Sequence, residues 1–431
     1  MERIAVIGTG YVGLVTGTCF AEIGNRVVCV DTDIQKIEML KRGKSPIYEP
    51  GLDNLLKKNI KKKRISFSTQ IKDAVKNSKI IFIAVGTPPG PKGEADLSAV
   101  ESVSEEIARY MDSYKLIIEK STVPIETGRW VEYTVAAFKK RHISFDIASN
   151  PEFLREGSAI KDFMNPDRVV LGVESDRAKN ILLKLYKPLK CPIVVTDIKS
   201  AELIKHASNS FLAMKISFIN AVSRVCDLSG ADIEKVSEGM GLDKRIGKDF
   251  LKAGLGYGGF CFPKDLSAFI HICDALGYNA EILKAVAKVN EQQKRFFLSK
   301  IKRKLWNLNY KNVGVLGLSF KPNTDDIRLS PAISLISMLK KEKAIIKTYD
   351  PKAMDKAKSE LKDVVYCKDS YEVCKGSDCL VIATDWPVFK RLDLKKVKKL
   401  LKRPVIFDAR NIFDPDKMRK LGFTYISIGR K

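Results

Sequence analysis

No apolar run in this chain approaches the roughly 18–20 residues that a membrane-spanning helix requires, so no membrane partner is expected. A signal peptide is not expected either, because MERIAVIG runs directly into a strand-like segment. No stretch is low in complexity, and no short repeat stands out. Acidic residues are outnumbered, 51 against 76 Lys and Arg, which leaves a net charge of +25. No helix-turn-helix, zinc-finger or RRM signature accompanies that charge. The basic runs at 57–64 and 395–403 are read as solvated helix faces, so nucleic acid is not an expected partner. A basic surface also attracts anionic small molecules, and Lys and Glu abundance is equally a mark of hot habitats. The nine cysteines are an odd number scattered through core-like segments, which implies thiols in a reducing compartment. Cytoplasm is the expected location, and no metal site is expected.

What is present is an ordinary globular composition, 45% apolar and 29% charged, long enough for two or three domains. Up to residue 150, apolar runs at 3–7, 26–30, 80–85, 116–120 and 145–149 alternate with helical patterns such as 13–23 and 98–110. That alternation predicts a parallel sheet with helices on both faces. Runs at 168–172 and 193–196 extend it. The texture then turns helical, with patterns at 200–229, 233–240, 263–276 and 280–303. A helix near thirty residues long exceeds what one globular domain needs, and suits a spine or a subunit interface. Strand–helix alternation resumes with 312–316, 345–349, 379–383 and 405–408. The fold class is α/β, helical middle, α/β.

Gly8-Thr9-Gly10-Tyr11-Val12-Gly13 follows the first strand and opens a helix. Its glycines allow a tight turn and close approach of backbone to a pyrophosphate, whose charge the helix N-terminus favours. Asp31 ends the second strand, where it grips a ribose diol and repels a 2′-phosphate, so NAD is expected rather than NADP. Lys36 lies about a turn further on, toward the adenosine side. The corresponding Val313-Gly314-Val315-Leu316-Gly317-Leu318 lacks the triple-glycine spacing and a convincing acidic residue. It is read as a turn in a similar fold, not a second NAD site.

The most informative segment is Gly254-Leu255-Gly256-Tyr257-Gly258-Gly259-Phe260-Cys261-Phe262-Pro263-Lys264-Asp265. Four glycines leave the thiol accessible at a helix start, where the dipole and Lys264 favour thiolate. Asp265 is placed to orient a base or water. Lys205 and Asn209 share one helix face, a cation and an amide able to stabilise an oxyanion. Glu152 and Glu156 follow the strand at 145–149, and Lys120-Ser121-Thr122-Val123-Pro124 ends another, both at the carboxyl edge where doubly wound sheets bind ligands.

With GTGYVG (8–13), VGTPP (85–89), KSTVP (120–124), PEFLREG (151–157), KHASN (205–209), GYGGFCFPKD (256–265) and FKPNTDDIR (320–328) in this order, the chain resembles the UDP-glucose 6-dehydrogenases of the UDP-glucose/GDP-mannose dehydrogenase family. The resemblance implies an N-terminal Rossmann-type NAD domain (1–199), a central long-helix dimerisation region (200–305) and a C-terminal Rossmann-like UDP-sugar-binding domain (306–431). It implies a homodimer or higher homo-oligomer, and two NAD-dependent oxidations of a sugar C6 alcohol through a thiohemiacetal and a thioester on Cys261. Lys205 and Asn209 then stabilise oxyanionic states, while Asp265 and a water ordered by Thr122 and Glu156 serve proton transfer and hydrolysis. Thr87, Thr122, Glu156, Lys264 and Arg328 are implied in NAD contact beside the fingerprint residues. Glu152, Phe153, Leu154, Arg155, Glu156, Lys205, Asn209, Phe250, Leu251, Lys252, Ala253, Gly254, Gly258, Lys321 and Arg410 are implied in UDP-sugar contact. Arg245 is implied in reaching a partner subunit's substrate. One departure is Phe260, where many relatives carry a small residue. Alternatives are UDP-N-acetylmannosamine or GDP-mannose as substrate, a hydroxyacid dehydrogenase, or a non-catalytic nucleotide-sugar-binding protein.

Overall fold

A computed structural model of the chain describes residues 1–90 and 93–430. They form two compact units, 1–208 with 267–277 and 209–266 with 278–431.

In the first unit the strands are β1 (Arg3–Ile7), β2 (Arg26–Val30), β3 (Ile65–Ser68), β4 (Ile80–Ile83), β5 (Lys115–Glu119), β6 (Phe145–Ser149), β7 (Val169–Val173) and β8 (Ile193–Thr196). They make one sheet in the order β3-β2-β1-β4-β5-β6-β7-β8, the doubly wound arrangement with two extra strands. All neighbours are parallel except β6 and β7. β4 and β5 are buried along their whole length, as β-branched strands covered on both faces must be. β4 stops at Ile83, short of the expected end, and the chain turns off through Val85-Gly86-Thr87-Pro88-Pro89, whose prolines cannot donate to a ladder. β3 is not among the expected strands; its four residues, ISFS, alternate apolar and polar but make too short a run to stand out.

The second unit holds β9 (Asn312–Leu316), β10 (Ile345–Tyr349), β11 (Val365–Tyr366), β12 (Cys379–Ile382), β13 (Val405–Asp408) and β14 (Thr424–Ser427). Their order, β11-β10-β9-β12-β13-β14, reproduces the first six strands of the other sheet, all parallel. The likeness extends to the first turn. Gly317 (φ +97°) stands where Gly8 (φ +101°) stands, each donating to the end of the second strand of its sheet, Tyr349 O or Val30 O. The expectation that this half lacks an acidic residue is corrected. Asp350 directly follows β10 as Asp31 directly follows β2, and accepts from the backbone of Leu318 and Ser319 at 2.8 and 3.0 Å. It escapes a search for glycine spacing because the fingerprint that would point to it has lost its other glycines.

Two helices matter for the site. The helix Ile198–Ser229 starts where Asp197 caps the Ser200 N–H at 2.8 Å and ends at Gly230 (φ +84°), as a left-handed terminator requires. The helix Cys261–Ala275 begins two residues before the expected start, which makes Cys261 its first residue.

Candidate active site

The fingerprint loop fits a dinucleotide. A Cβ on Gly8 would lie 2.4 Å from Ala84 O, and one on Gly13 2.0 Å from Gly8 O, so both are obligatory for packing. Among the described residues a Cβ on Gly10 would meet nothing within 4 Å, which leaves open space beside the start of the helix Tyr11–Glu22, where a diphosphate is attracted. Asp31 Oδ2 accepts from Thr9 N and Oγ1 at 2.8 and 2.7 Å, and Oδ1 from Asp33 N at 3.0 Å. Burial works to raise its pKa, but these donors and Lys36, 4.0 Å away, hold the carboxyl below its ordinary value. It is therefore an anionic acceptor poised for a ribose diol. Asp350 is different: it is wholly buried, and its Oδ2 also receives Ser319 Oγ and the Trp386 indole N–H. Its acceptors are consumed internally.

At the carboxyl edge of the first unit, the Thr87 hydroxyl donates to Thr122 O at 2.9 Å and ties the β4 and β5 loops. Glu152 binds Lys205 Nζ at 3.0 Å through Oε1 and the Leu154 N–H at 2.6 Å through Oε2. The Phe153 ring carries the Arg168 guanidinium 3.7 Å from its centroid and the Lys205 ammonium at 5.4 Å. Arg155 is forked onto Asp162. Lys120 is a buried amine that donates to Asn150 O and Oδ1 at 3.2 and 2.9 Å. Burial brings its pKa down to about 7, against the pull of Glu152. A lysine directly after a buried isoleucine-rich strand was the signal for it. A cavity of about 290 Å³ opens beside Lys120, Glu152, Phe153 and Arg168.

In the second unit, burial pushes the thiols of Cys374 and Cys379 up to about 12, as it does those of Cys19 and Cys29 in the first, which makes them inert. Cys261 is half-buried at a helix N-terminus. The loop ahead of it is pinned at several points. Asn220 accepts from Gly254 N at 2.8 Å, Gln293 donates to Gly254 O at 3.0 Å, and Asn290 grips both N–H and C=O of Tyr257. Gly258 and Gly259 pass so close to Leu329 O and the Phe320 ring that a Cβ would come within 2.5 and 2.8 Å. Asp265 is fully buried; Asn209 Nδ2 donates to its Oδ2 at 2.6 Å, and Lys264 Nζ lies 3.0 Å from Oδ1. Phe260 acts as a shelf, with the Arg328 guanidinium 4.4 Å and the Lys264 ammonium 5.6 Å from its ring centroid. Arg328 is also forked onto Asp326.

Of the remaining residues, Phe250 takes φ +65° and its ring meets Phe262 edge-on at 6.0 Å; Leu251 and Ala253 are buried, and Lys252 is exposed. Arg410 donates to Ala383 O and Phe320 O at 2.8 and 3.1 Å beside Gly254, and Lys321 lies over Phe320. Arg245 is 89% exposed and forked onto Asp243.

Both units thus carry a Rossmann-type frame, one with an open dinucleotide turn and the other with a thiol-bearing loop, which defines a nucleotide-dependent dehydrogenase class. Residues 2–190 match the NAD binding domain model of the UDP-glucose/GDP-mannose dehydrogenase family, 199–292 its central domain and 314–415 its UDP binding domain. The chain belongs to this family and is an NAD-dependent oxidoreductase. It is 49% identical to UDP-glucose 6-dehydrogenase TuaD of Bacillus subtilis, covering all of this chain and 94% of that protein. The UDP-glucose dehydrogenase structure from Pyrobaculum islandicum is 41% identical, covers 100% and 98% of the two chains and superposes with a TM-score of 0.94. That of a UDP-D-ManNAc dehydrogenase from Pyrococcus horikoshii is 28% identical over 99% of each chain, with a TM-score of 0.88.

Proposed function

We propose that this enzyme oxidises C6 of UDP-glucose twice, to UDP-glucuronate, through a thioester on Cys261. The observation that carries the reading is the thiol segment. It places a half-buried cysteine first on a helix, behind a glycine loop pinned by Asn220, Asn290 and Gln293, with a buried Asp265 one turn on. Full-length identity is higher to relatives named for UDP-glucose than to the one named for UDP-D-ManNAc, which supports the choice of sugar.

The 8–13 turn and Asp31 would hold NAD, which when bound would supply the hydride acceptor for each of the two oxidations. Thr87, Thr122, Glu156, Lys264 and Arg328 complete its contacts in this reading. The alcohol proton passes to a base as C6 becomes an aldehyde. The Cys261 thiolate adds to that carbon, and the resulting oxyanion is met by the Lys205 ammonium and the Asn209 amide. Loss of the second C6 hydrogen gives the thioester, which keeps the carbon bound between the two oxidations. A water ordered by Thr122 and Glu156 then cleaves it, releasing the carboxylate and the thiol, with Asp265 serving the proton transfers. Glu152, the 153–156 and 250–254 segments, Gly258, Lys321 and Arg410 hold the UDP-sugar.

The same reading assigns 1–199 to NAD, 200–305 to dimerisation and 306–431 to the UDP-sugar, in a cytoplasmic homodimer with Arg245 reaching the partner's substrate. Phe211, Phe218 and Val225, seven apart and 57%, 53% and 61% exposed on one helix, support self-association.

UDP-glucose with NAD should yield about two NADH per sugar, because an acid formed through a thioester demands four electrons. One NADH per sugar, or wild-type turnover by Cys261→Ala, sinks the mechanism. Faster turnover of UDP-N-acetylmannosamine or GDP-mannose overturns the choice of sugar alone.

A further inference from the structure

Glu49 is a buried carboxylate, 5% exposed, that the chemistry above does not use. It lies in the turn before the helix Leu52–Lys61. Its Oε1 accepts the Ala159 N–H at 2.8 Å and its Oε2 the Gly157 N–H at 2.6 Å. The Tyr11 hydroxyl donates to the same Oε2 and itself accepts from Gly157 N at 2.9 Å. Burial, together with this contact, raises the phenol well above its ordinary pKa, so the donor stays protonated.

The three donors come from two functional segments. Tyr11 is the first residue of the helix behind the dinucleotide turn, and Gly157 directly follows Glu156. Gly157 takes φ +81°, a state that glycine reaches without strain, so the exit of the 152–156 segment is fixed by its hydrogen bonds rather than by backbone sterics. Ala159 is the first residue of the helix Ala159–Met164, whose leading N–H groups take acceptors from outside the helix. Charge-assisted bonds to buried backbone are about twice as strong as neutral ones. A shift of Tyr11 therefore moves an acceptor of the Gly157 amide, and a shift of the 152–156 segment moves the partner of Tyr11.

The geometry points to Glu49 as a positioning residue that couples the dinucleotide turn to the sugar-binding segment, so that filling one tightens the other. This rests on the reading of 8–13 and 152–156 given under the proposed function. Coupling between sites is reciprocal and commonly amounts to about 5-fold or more.

The test is calorimetric titration of UDP-glucose into the wild-type enzyme with and without saturating NADH, a pair that does not react. NADH should tighten UDP-glucose about 5-fold or more. In Glu49→Gln, whose amide would face the Gly157 N–H, that ratio should fall to within about 2-fold of unity while NADH alone binds within about 3-fold of wild type. Tyr11→Phe removes the other end of the bridge and should lose the ratio as well. Independently of any variant, NADH alone should slow hydrogen exchange of the wild-type Gly157 and Ala159 amides. Unchanged coupling in either folded variant, or no added protection, overturns the inference while UDP-glucose still binds. Absence of UDP-glucose binding by the wild type overturns the substrate reading, and the inference with it.

Discussion

Asn209 donates its side-chain amide to Asp265 at 2.6 Å, inside a buried pocket where the carboxylate's other oxygen faces the Lys264 ammonium. Both residues singled out for oxyanion and proton work are thus already held by partners. Asn209→Ala leaves a buried carboxylate short of its donor, at a cost of about 1–3 kcal/mol. We predict a kcat about 10- to 100-fold lower with the KM for NAD little changed. Steady-state kinetics of Asn209→Ala at wild-type kcat would refute it.

Asp31 and Asp350 occupy the same station in two copies of one fold but should fail differently. Asp31→Asn should raise the KM for NAD about 10-fold or more, a loss of roughly 1.4 kcal/mol or above, and lower the melting temperature less than Asp350→Asn does. Asp350→Asn should lower the melting temperature, since it weakens several bonds to a buried charge worth about 1.5–3 kcal/mol each. Its KM for NAD should not move. Paired thermal melts and NAD kinetics separate the two, and a D350N protein with normal stability would show that Asp350's bonds are dispensable.

Glu119 gives a pH signature. It is buried at the end of β5, with Oε1 on the Ser121 N–H at 2.7 Å and Oε2 without a hydrogen bond among the described residues, and burial raises its pKa to about 8. Burial likewise brings Glu202 up to about 7. A raised folded pKa means that the native state holds the proton more tightly than the unfolded one. The stability contributed is full below the unfolded value near 4.5 and is lost as pH rises toward about 8. Glu119→Gln, which stays neutral, should match wild type in melting temperature at pH 5 and exceed it at pH 9. Equal melting temperatures at both values would mean that the carboxyl is not buried as described.

Phe260→Ala removes the shelf under Arg328 and Lys264. Each cation–π contact is worth about 0.5–1 kcal/mol, so on the proposed reading, in which Arg328 and Lys264 contact NAD, the KM for NAD should rise about 3- to 10-fold with a smaller change in kcat. An unchanged KM would disconnect the shelf from the cofactor.

Much of the frame was legible because its signals are local. The strands at 3–7, 26–30, 145–149, 193–196, 312–316, 345–349 and 405–408 fall where apolar periodicity puts them. So do Gly8, Gly13 and Asp31, because the backbone geometry of that turn admits few residues. The misses are of another kind. β3 is too short for periodicity to register, and Asp350 is marked only by a spatial likeness to Asp31. Glu49, Lys120 and Arg168 act through partners 108, 30 and 15 positions away, Gly157, Asn150 and Phe153, pairs that no helix or strand period joins. That Asp265 is gripped by Asn209, 56 positions earlier, is likewise a property of packing.

The Trp386 indole bonded to Asp350 and Ser319 has a consequence for stoichiometry. In the second Rossmann frame the chain itself supplies the donors that a ribose would bring, so the groove comes already satisfied by protein. Equilibrium dialysis at saturating NADH should therefore saturate at one dinucleotide per chain, although each chain carries two copies of the fold that binds it.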